Sequence, residues 1–137
     1  MEKEIRTVLS DIRGMLVRYE YAIPWIKQLK ENGYQVLVLS NFAEKSLRDC
    51  WHELDFLPHV DGGILSFRDK VIKPDPAIYE LLLERYQLKA SECVFIDDLQ
   101  KNVDAAKAQG FYGIQFKNQA QAVRELEALG VICKGSC

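Results

Sequence analysis

Two short runs of consecutive apolar residues mark the chain. One lies within Gln35–Ser40 (QVLVLS) and the other within Cys93–Asp97 (CVFID). A strand of a parallel sheet that is covered on both faces is continuously apolar, because neither face meets water. Both runs therefore predict buried parallel strands. The residues that we expect to be nearly fully buried are Val36, Leu37, Val38, Val94, Phe95 and Ile96.

Helical periodicity recurs around these strands, with apolar residues three and four positions apart. The predicted helices are Ile23–Asn32, Glu44–Leu54, Asp75–Tyr86, Asn102–Gln109 and Ala120–Leu129. Gly62–Phe67 predicts a short strand or turn, and Tyr112–Phe116 a third strand. Because strands and helices alternate, we expect one α/β domain over residues 1–137 with a three-layered parallel sheet. Right-handed crossovers place the carboxyl ends of its strands at one edge, where ligands bind in open α/β sheets.

The N-terminal segment has a different pattern. Its apolar residues are Ile5, Val8, Leu9, Ile12, Met15 and Leu16. Successive members lie three, one, three, three and one positions apart, which is typical of a helical stripe. Thr7, Ser10, Asp11 and Gly14 fall between them, on the polar side. The periodicity therefore predicts a helix over residues 5–13 rather than a buried central strand.

Charge and cysteine content narrow the class of protein. The formal net charge of -2 offers no basic surface for nucleic acid. No apolar run is long enough to span a bilayer, and we expect neither a signal peptide nor a membrane partner. The four cysteines are Cys50, Cys93, Cys133 and Cys137. They form no Cys-x-x-Cys pair and suggest no disulfide framework, so we expect a reducing cytoplasm.

Ser40 and Asn41 directly follow an apolar run. A hydroxyl there, together with the free N–H groups of a following helix, can hold a phosphate oxygen. Both residues are also favoured helix N-caps, and taken alone the cap is the better interpretation.

Lys73 lies in the segment Val71–Pro76 (VIKPDP), where two prolines hold the chain extended and then begin a helix. A cation on so stiff a segment can neutralise charge on a transferring phosphoryl group. A lone lysine is more often an ordinary surface residue.

Asp97 and Asp98 end the second apolar run. Adjacent carboxylates at the end of a buried strand repel each other unless a hard cation such as Mg²⁺ shares them. Helix capping by one of the two explains the pair equally well. Asn102 follows on the next predicted helix, where it can hydrogen-bond a metal ligand.

Together the three groups resemble motifs two, three and four of the haloacid dehalogenase-like (HAD) superfamily. The resemblance runs from Ala22 to Gly130 and is carried by VLVLSNFAEK, DGGILSFRDKVIKPDPAIY and ECVFIDDLQKNVDAAKAQG. These stretches look like those of the capped HAD phosphatases. The resemblance implies a Rossmann-like HAD core, with the cap absent or reduced to an N-terminal helix.

The same resemblance implies roles for the residues that match. Ser40 and Asn41 would bind the substrate phosphate, and Lys73 would steady both phosphate and nucleophile. Asp97 and Asp98 would hold Mg²⁺, with Asp98 preferred as the direct ligand and Asn102 in support. Family members transfer a phosphoryl group to an aspartate and then release it to water.

The first HAD motif, Asp-x-Asp-Gly-Thr, is not intact. In LSDIRGML, Asp11 falls at the nucleophile position, Arg13 replaces the second aspartate and Met15 replaces the threonine. Alternatively, Gly14–Ala22 resembles the segment by which capped relatives return from cap to core. On that fragment interpretation Glu2–Arg13 is a cap helix and the nucleophile strand is absent. The helical periodicity favours the fragment, whereas Gly14 favours a degenerate motif.

The sequence thus predicts a Mg²⁺-dependent HAD phosphatase acting on a small phosphorylated metabolite, impaired or inactive as written. The alternative is a non-catalytic HAD-like binding or regulatory domain, or a truncated fragment. If the central strand is missing, exposed sheet edges would favour a homo-oligomer.

Overall fold

A computed structural model describes residues 5–10, 22–40, 60–65, 73 and 75–131, with the backbone alone at residues 22, 23, 40 and 65. The strands are β1 (Thr7–Ser10), β2 (Gln35–Ser40), β3 (Gly62–Leu65), β4 (Cys93–Asp97) and β5 (Tyr112–Gln115). The helices are α1 (Ala22–Glu31), α2 (Pro76–Tyr86), α3 (Gln100–Ala108) and α4 (Gln119–Ala128), with a 3-10 turn at Ala90–Glu92. No helix in these ranges is both long and apolar enough to cross a membrane.

The five strands form one parallel sheet in the order β3-β2-β1-β4-β5. Strand β1 lies at its centre, with Ser10 opposite Val38 of β2 and Ile96 of β4. All carboxyl ends therefore meet at one edge, as the alternation of elements predicts. The three-layered parallel α/β fold is confirmed.

Alternate residues of each strand enter separate apolar layers. Val8, Val36 and Val94 pack on one face, in the cluster that includes α1 and α4 residues. Leu9, Leu37, Phe95 and their neighbours pack on the other face, with residues of α2 and α3. The six residues expected to be nearly buried are all 3% exposed or less. Strands covered on both faces account for these unbroken apolar runs.

The ends of the described helices that were predicted lie within two residues of their predicted positions. Helix α2 begins after Asp75, whose carboxylate accepts the N–H of Ala77 at 2.9 Å, with Pro76 in the first turn. Strand β3 covers Gly62–Leu65, and the last two residues of the predicted strand or turn lie outside the described residues. The predicted helix Glu44–Leu54 lies outside the described residues.

The N-terminal prediction is wrong. Residues Thr7–Ser10 form the central strand instead of a helix, and all four are buried. Their polar members suit that position because they are small and have partners: the Thr7 hydroxyl donates to Gln35 Oε1 at 3.3 Å, and Ser10 also has an interaction partner. The fragment interpretation is therefore wrong in leaving the centre of the sheet without a strand. Residues 11–13 of the predicted helix lie outside the described part.

Candidate active site at the carboxyl edge of the sheet

The strand register brings the predicted polar groups to one edge. Strand β2 continues two residues past Val38, the partner of Ser10, and ends at Ser40. Strand β4 continues one residue past Ile96 and ends at Asp97. Ser40 and Asp97 thus end strands on either side of β1. Asp11 comes next in the sequence after Ser10, but Asp11, Arg13 and Asn41 lie outside the described residues, as does the side chain of Ser40.

Asp97 is the centre of a buried polar network. Its Oδ2 atom lies 2.6 Å from Lys73 Nζ and accepts Asn102 Nδ2–H at 3.2 Å. Its Oδ1 atom accepts the backbone N–H of Leu99 at 2.9 Å. The side chains of Lys73 and Asp97 are 2% and 0% exposed. A fully desolvated ion pair is tolerated when further hydrogen bonds satisfy its atoms, as they do here.

Lys73 reaches this position over an aromatic ring. Its Nζ atom lies 5.4 Å from the centroid of the Phe95 ring, within the range of a cation–π contact. The Tyr79 ring meets Phe95 edge to face, with centroids 5.9 Å apart. Phe95 thus contributes both to the apolar layer beneath the sheet and to the surroundings of the ammonium group.

Asp98 lies beside the network but is exposed. Partial burial of its carboxyl raises the pKa, as do a hydrogen bond to Asp97 and the charge of Asp97, whereas a backbone hydrogen bond and the charge of Lys73 lower it. Its backbone is held by Gln115, whose Nε2 donates to the Asp98 carbonyl at 3.3 Å. The charge of Asp97 therefore disfavours ionisation of Asp98, which a bound cation would relieve.

Tyr79 of α2 is hydrogen-bonded to Asn102, a member of the polar network. The sequence did not predict this role. The Tyr79 hydroxyl donates to the backbone carbonyl of Asn102 at 2.9 Å. Burial raises the pKa of Tyr79, and the nearby charge of Asp97 raises it further, so the hydroxyl stays a donor. The only pattern that could have identified Tyr79 is its place in KPDPAIY, six residues after Lys73.

The side chains at this edge fit a magnesium ion. Mg²⁺ in proteins binds through one or two carboxylates, completed by waters and substrate phosphate. Asp98 offers an exposed carboxylate, and Asn102 Oδ1 is buried without a hydrogen-bond partner within the described residues. In the described ranges no group of three or more acidic, histidine or cysteine side chains is arranged to hold a metal ion. Mg²⁺ needs as few as one protein carboxylate, and the exposed Asp98 offers one.

The sequence model for haloacid dehalogenase-like hydrolases matches residues 3–110 of this chain. Mouse acyl-CoA dehydrogenase family member 10 is 36% identical over 104 residues, which cover 76% of this chain and 10% of that protein. The sesquiterpene phosphatase astK of Aspergillus oryzae is 31% identical over 107 residues, covering 76% of this chain and 53% of the phosphatase. The chain thus spans from a tenth to about half of the length of these relatives.

More distant relatives and a solved structure agree with these matches. Two bacterial (S)-2-haloacid dehalogenases, from Pseudomonas and Burkholderia cepacia, are 27% and 30% identical. An uncharacterised protein of Corynebacterium glutamicum has a crystal structure that superposes with a TM-score of 0.78 at 26% identity. That alignment covers 96% of this chain and 99% of the other.

Proposed function

The chain belongs to the haloacid dehalogenase-like hydrolase family, and on this premise we propose that it is a phosphatase-type domain that binds Mg²⁺ and the phosphate of a small metabolite. We further propose that its turnover is weak or absent. Phosphatases and dehalogenases both occur among its relatives. The paired aspartates favour phosphate chemistry, because a phosphoryl group and Mg²⁺ share the same oxygen-rich surroundings.

The observation that carries the proposal is the buried Lys73–Asp97 pair beside the exposed Asp98. Asp97 already accepts hydrogen bonds from three groups, including Lys73 and Asn102. It therefore holds Lys73 in place, and Asp98 is the carboxylate available to a metal. A phosphate at this edge would meet the Lys73 charge on one side and the cation held by Asp98 on the other.

Each residue has a distinct part in the proposed reaction. Ser40 and Asn41 bind phosphate oxygens, Lys73 neutralises their charge, and Asp98 holds the cation. Bound Mg²⁺ would stabilise negative charge on the transferring group. Asp11 is the candidate nucleophile, since it directly follows Ser10, the last residue of the central strand. The strand at Thr7–Ser10 supports a degenerate first motif over the cap-helix interpretation.

Weak turnover follows from the residue at the second position of that motif. Hydrolysis needs an acid that protonates the leaving oxygen, and a guanidinium does not release its proton. Arg13 stands where the family has an aspartate. Loss of general acid catalysis costs about 10²–10⁴-fold in rate. The binding half of the site does not depend on that residue.

A non-catalytic binding or regulatory domain is the second candidate. It is favoured by the two departures in the first motif, Arg13 and Met15. We also propose a cytoplasmic location and no nucleic-acid partner, supported by the free thiol of the buried Cys93 and the net charge of -2.

Turnover of two phosphate monoesters with Mg²⁺ separates the candidates. An aryl phosphate needs little help from an acid, whereas an alkyl phosphate needs it, so we expect slow release of phosphate from the aryl ester alone. The variant Asp11→Asn should abolish that release, and Arg13→Asp should increase turnover of the alkyl ester. No turnover in any variant, with Mg²⁺ and phosphate still bound, would establish the binding domain. Turnover unaffected by Asp11→Asn would contradict the assigned nucleophile.

A further inference from the structure

Leu99 is an exposed residue in the short segment between β4 and α3. In the part of the chain that the structure describes, it is the large apolar residue left exposed, at 48%. It directly follows Asp98, and both Gln100 and Lys101 after it are exposed and polar. A single exposed leucine is ordinary on a protein surface. Its position between the candidate metal ligand and helix α3 is what distinguishes this one.

Leu99 also occupies a position that normally favours another type of residue. It is the N-cap of α3, and its side chain makes no capping hydrogen bond. Asn, Asp, Ser and Thr are preferred there because their side chains accept free N–H groups of the first turn. Leucine offers no acceptor. A residue that caps the helix is usually polar, and a residue that packs in the core is buried. Leu99 is apolar and exposed, so neither helix capping nor core packing accounts for it.

The backbone of Leu99 is fixed against the polar network. Its N–H donates to Asp97 Oδ1 at 2.9 Å. Its carbonyl accepts the N–H groups of Asn102 at 3.1 Å and Val103 at 3.2 Å. Because both ends of the residue are held, the side chain projects from a constant position next to Asp98. An apolar group that is rigidly placed beside a polar site can contribute to the recognition of a ligand with an apolar part.

We propose that Leu99 contacts the organic group of the bound phosphate monoester and selects substrates whose organic group is apolar. The proposal rests on the proposed function, since it requires phosphate to bind beside Lys73 and Asp98. Lys73 and the cation recognise the phosphate of every ester alike. Discrimination between esters must come from residues that touch the organic part, and Leu99 is positioned to do so.

Binding of two phosphonates tests the proposal without requiring turnover. Methylphosphonate and hexylphosphonate carry the same charged group, and they are titrated into the whole chain with Mg²⁺ by calorimetry. We expect the hexyl compound to bind roughly three- to tenfold more tightly, as contact with a half-exposed leucine provides. The variant Leu99→Asn should bring the two affinities together without changing that of methylphosphonate. It should also raise the melting temperature by a few degrees, because asparagine caps α3.

The control variant Leu99→Met keeps an apolar side chain and should retain the preference for hexylphosphonate. If methylphosphonate binds but the hexyl compound gains nothing, the role of Leu99 is wrong and the phosphate site stands. The same conclusion follows if Leu99→Asn gains stability and keeps the preference. If neither phosphonate binds, the proposed phosphate site fails, and the role of Leu99 fails with it.

Discussion

Asp97 and Asp98 are consecutive, yet they lie in contrasting surroundings. Asp97 is fully buried, with an ammonium group at 2.6 Å and two further donors on its oxygens. Asp98 is exposed, and its carboxyl has a raised pKa because of partial burial and its interactions with Asp97. Two consecutive residues thus provide a carboxylate in a buried ion pair and a carboxylate that is exposed to solvent.

The contrast shows how adjacent acids divide two tasks. A buried carboxylate whose lone pairs are occupied can fix the position of a cationic side chain, but it has little capacity for a further ligand. An exposed carboxylate keeps that capacity and contributes little to the fold. Asp97 therefore orients Lys73, and under the proposed function Asp98 would provide the oxygen ligands for a metal.

The largest expected effect is the loss of stability when Asp97 is replaced. Asp97→Ala leaves the Lys73 charge buried without its counter-ion, which costs about 3–5 kcal/mol. Urea unfolding in the presence of EDTA measures the change in the free energy of unfolding. The matched variant Asp98→Ala should change stability by less than about 0.5 kcal/mol, as for most surface sites. Equal losses of stability in Asp97→Ala and Asp98→Ala would contradict the assignment of a structural role to Asp97 alone.

A smaller effect is expected for the coupling between the partners of the ion pair. Lys73→Met and Asp97→Asn each remove one charge of the pair and leave the other buried, whereas the double variant removes both charges. The loss in the double variant should be smaller than the sum of the single losses by about 0.5–3 kcal/mol. A double-mutant cycle from the same unfolding data gives this difference. Strict additivity would mean that Lys73 is held by other partners.

The smallest effect is expected from removing the hydrogen bond between the Tyr79 hydroxyl and the Asn102 carbonyl. Tyr79→Phe removes a buried hydroxyl and its hydrogen bond, which costs about 1 kcal/mol. Tyr34 provides the control, since its hydroxyl makes an exposed bond of 3.5 Å to the Gly130 carbonyl. Tyr34→Phe should change the free energy of unfolding by less than half as much. Similar changes in both variants would show that Tyr79 gives the site no particular support.

The strands on either side of the centre could be predicted from the sequence for a clear physical reason. Strands β2 and β4 are covered on both faces, so their runs are continuously apolar and admit no helical interpretation. Strand β1 has the same surroundings but only four residues, of which Thr7 and Ser10 are polar. The interaction partners of these two residues offset the cost of burying them, and no periodicity reveals such partners in advance.

The site was predictable where residue type and strand end coincide. Asp97 and Asp98 end an apolar run and Lys73 lies in a proline-stiffened segment, so their sequence positions alone indicated a shared edge. Tyr79 and Leu99 were not predictable in the same way. A tyrosine in an apolar helix and a leucine before a helix both look structural in the sequence. The Tyr79–Asn102 bond and the exposure of Leu99 are features of the structure alone.

The most direct test of the division between the two acids is a Mg²⁺ titration of stability. Thermal unfolding of the whole chain should shift upward with the logarithm of the Mg²⁺ concentration, with a gain of about 2.7 kcal/mol at a hundredfold excess over the dissociation constant. Asp98→Asn should abolish the shift. Asp104→Asn, which changes an exposed acid on α3, should retain it. A Mg²⁺ shift that is as large in Asp98→Asn as in the unaltered chain would contradict the account.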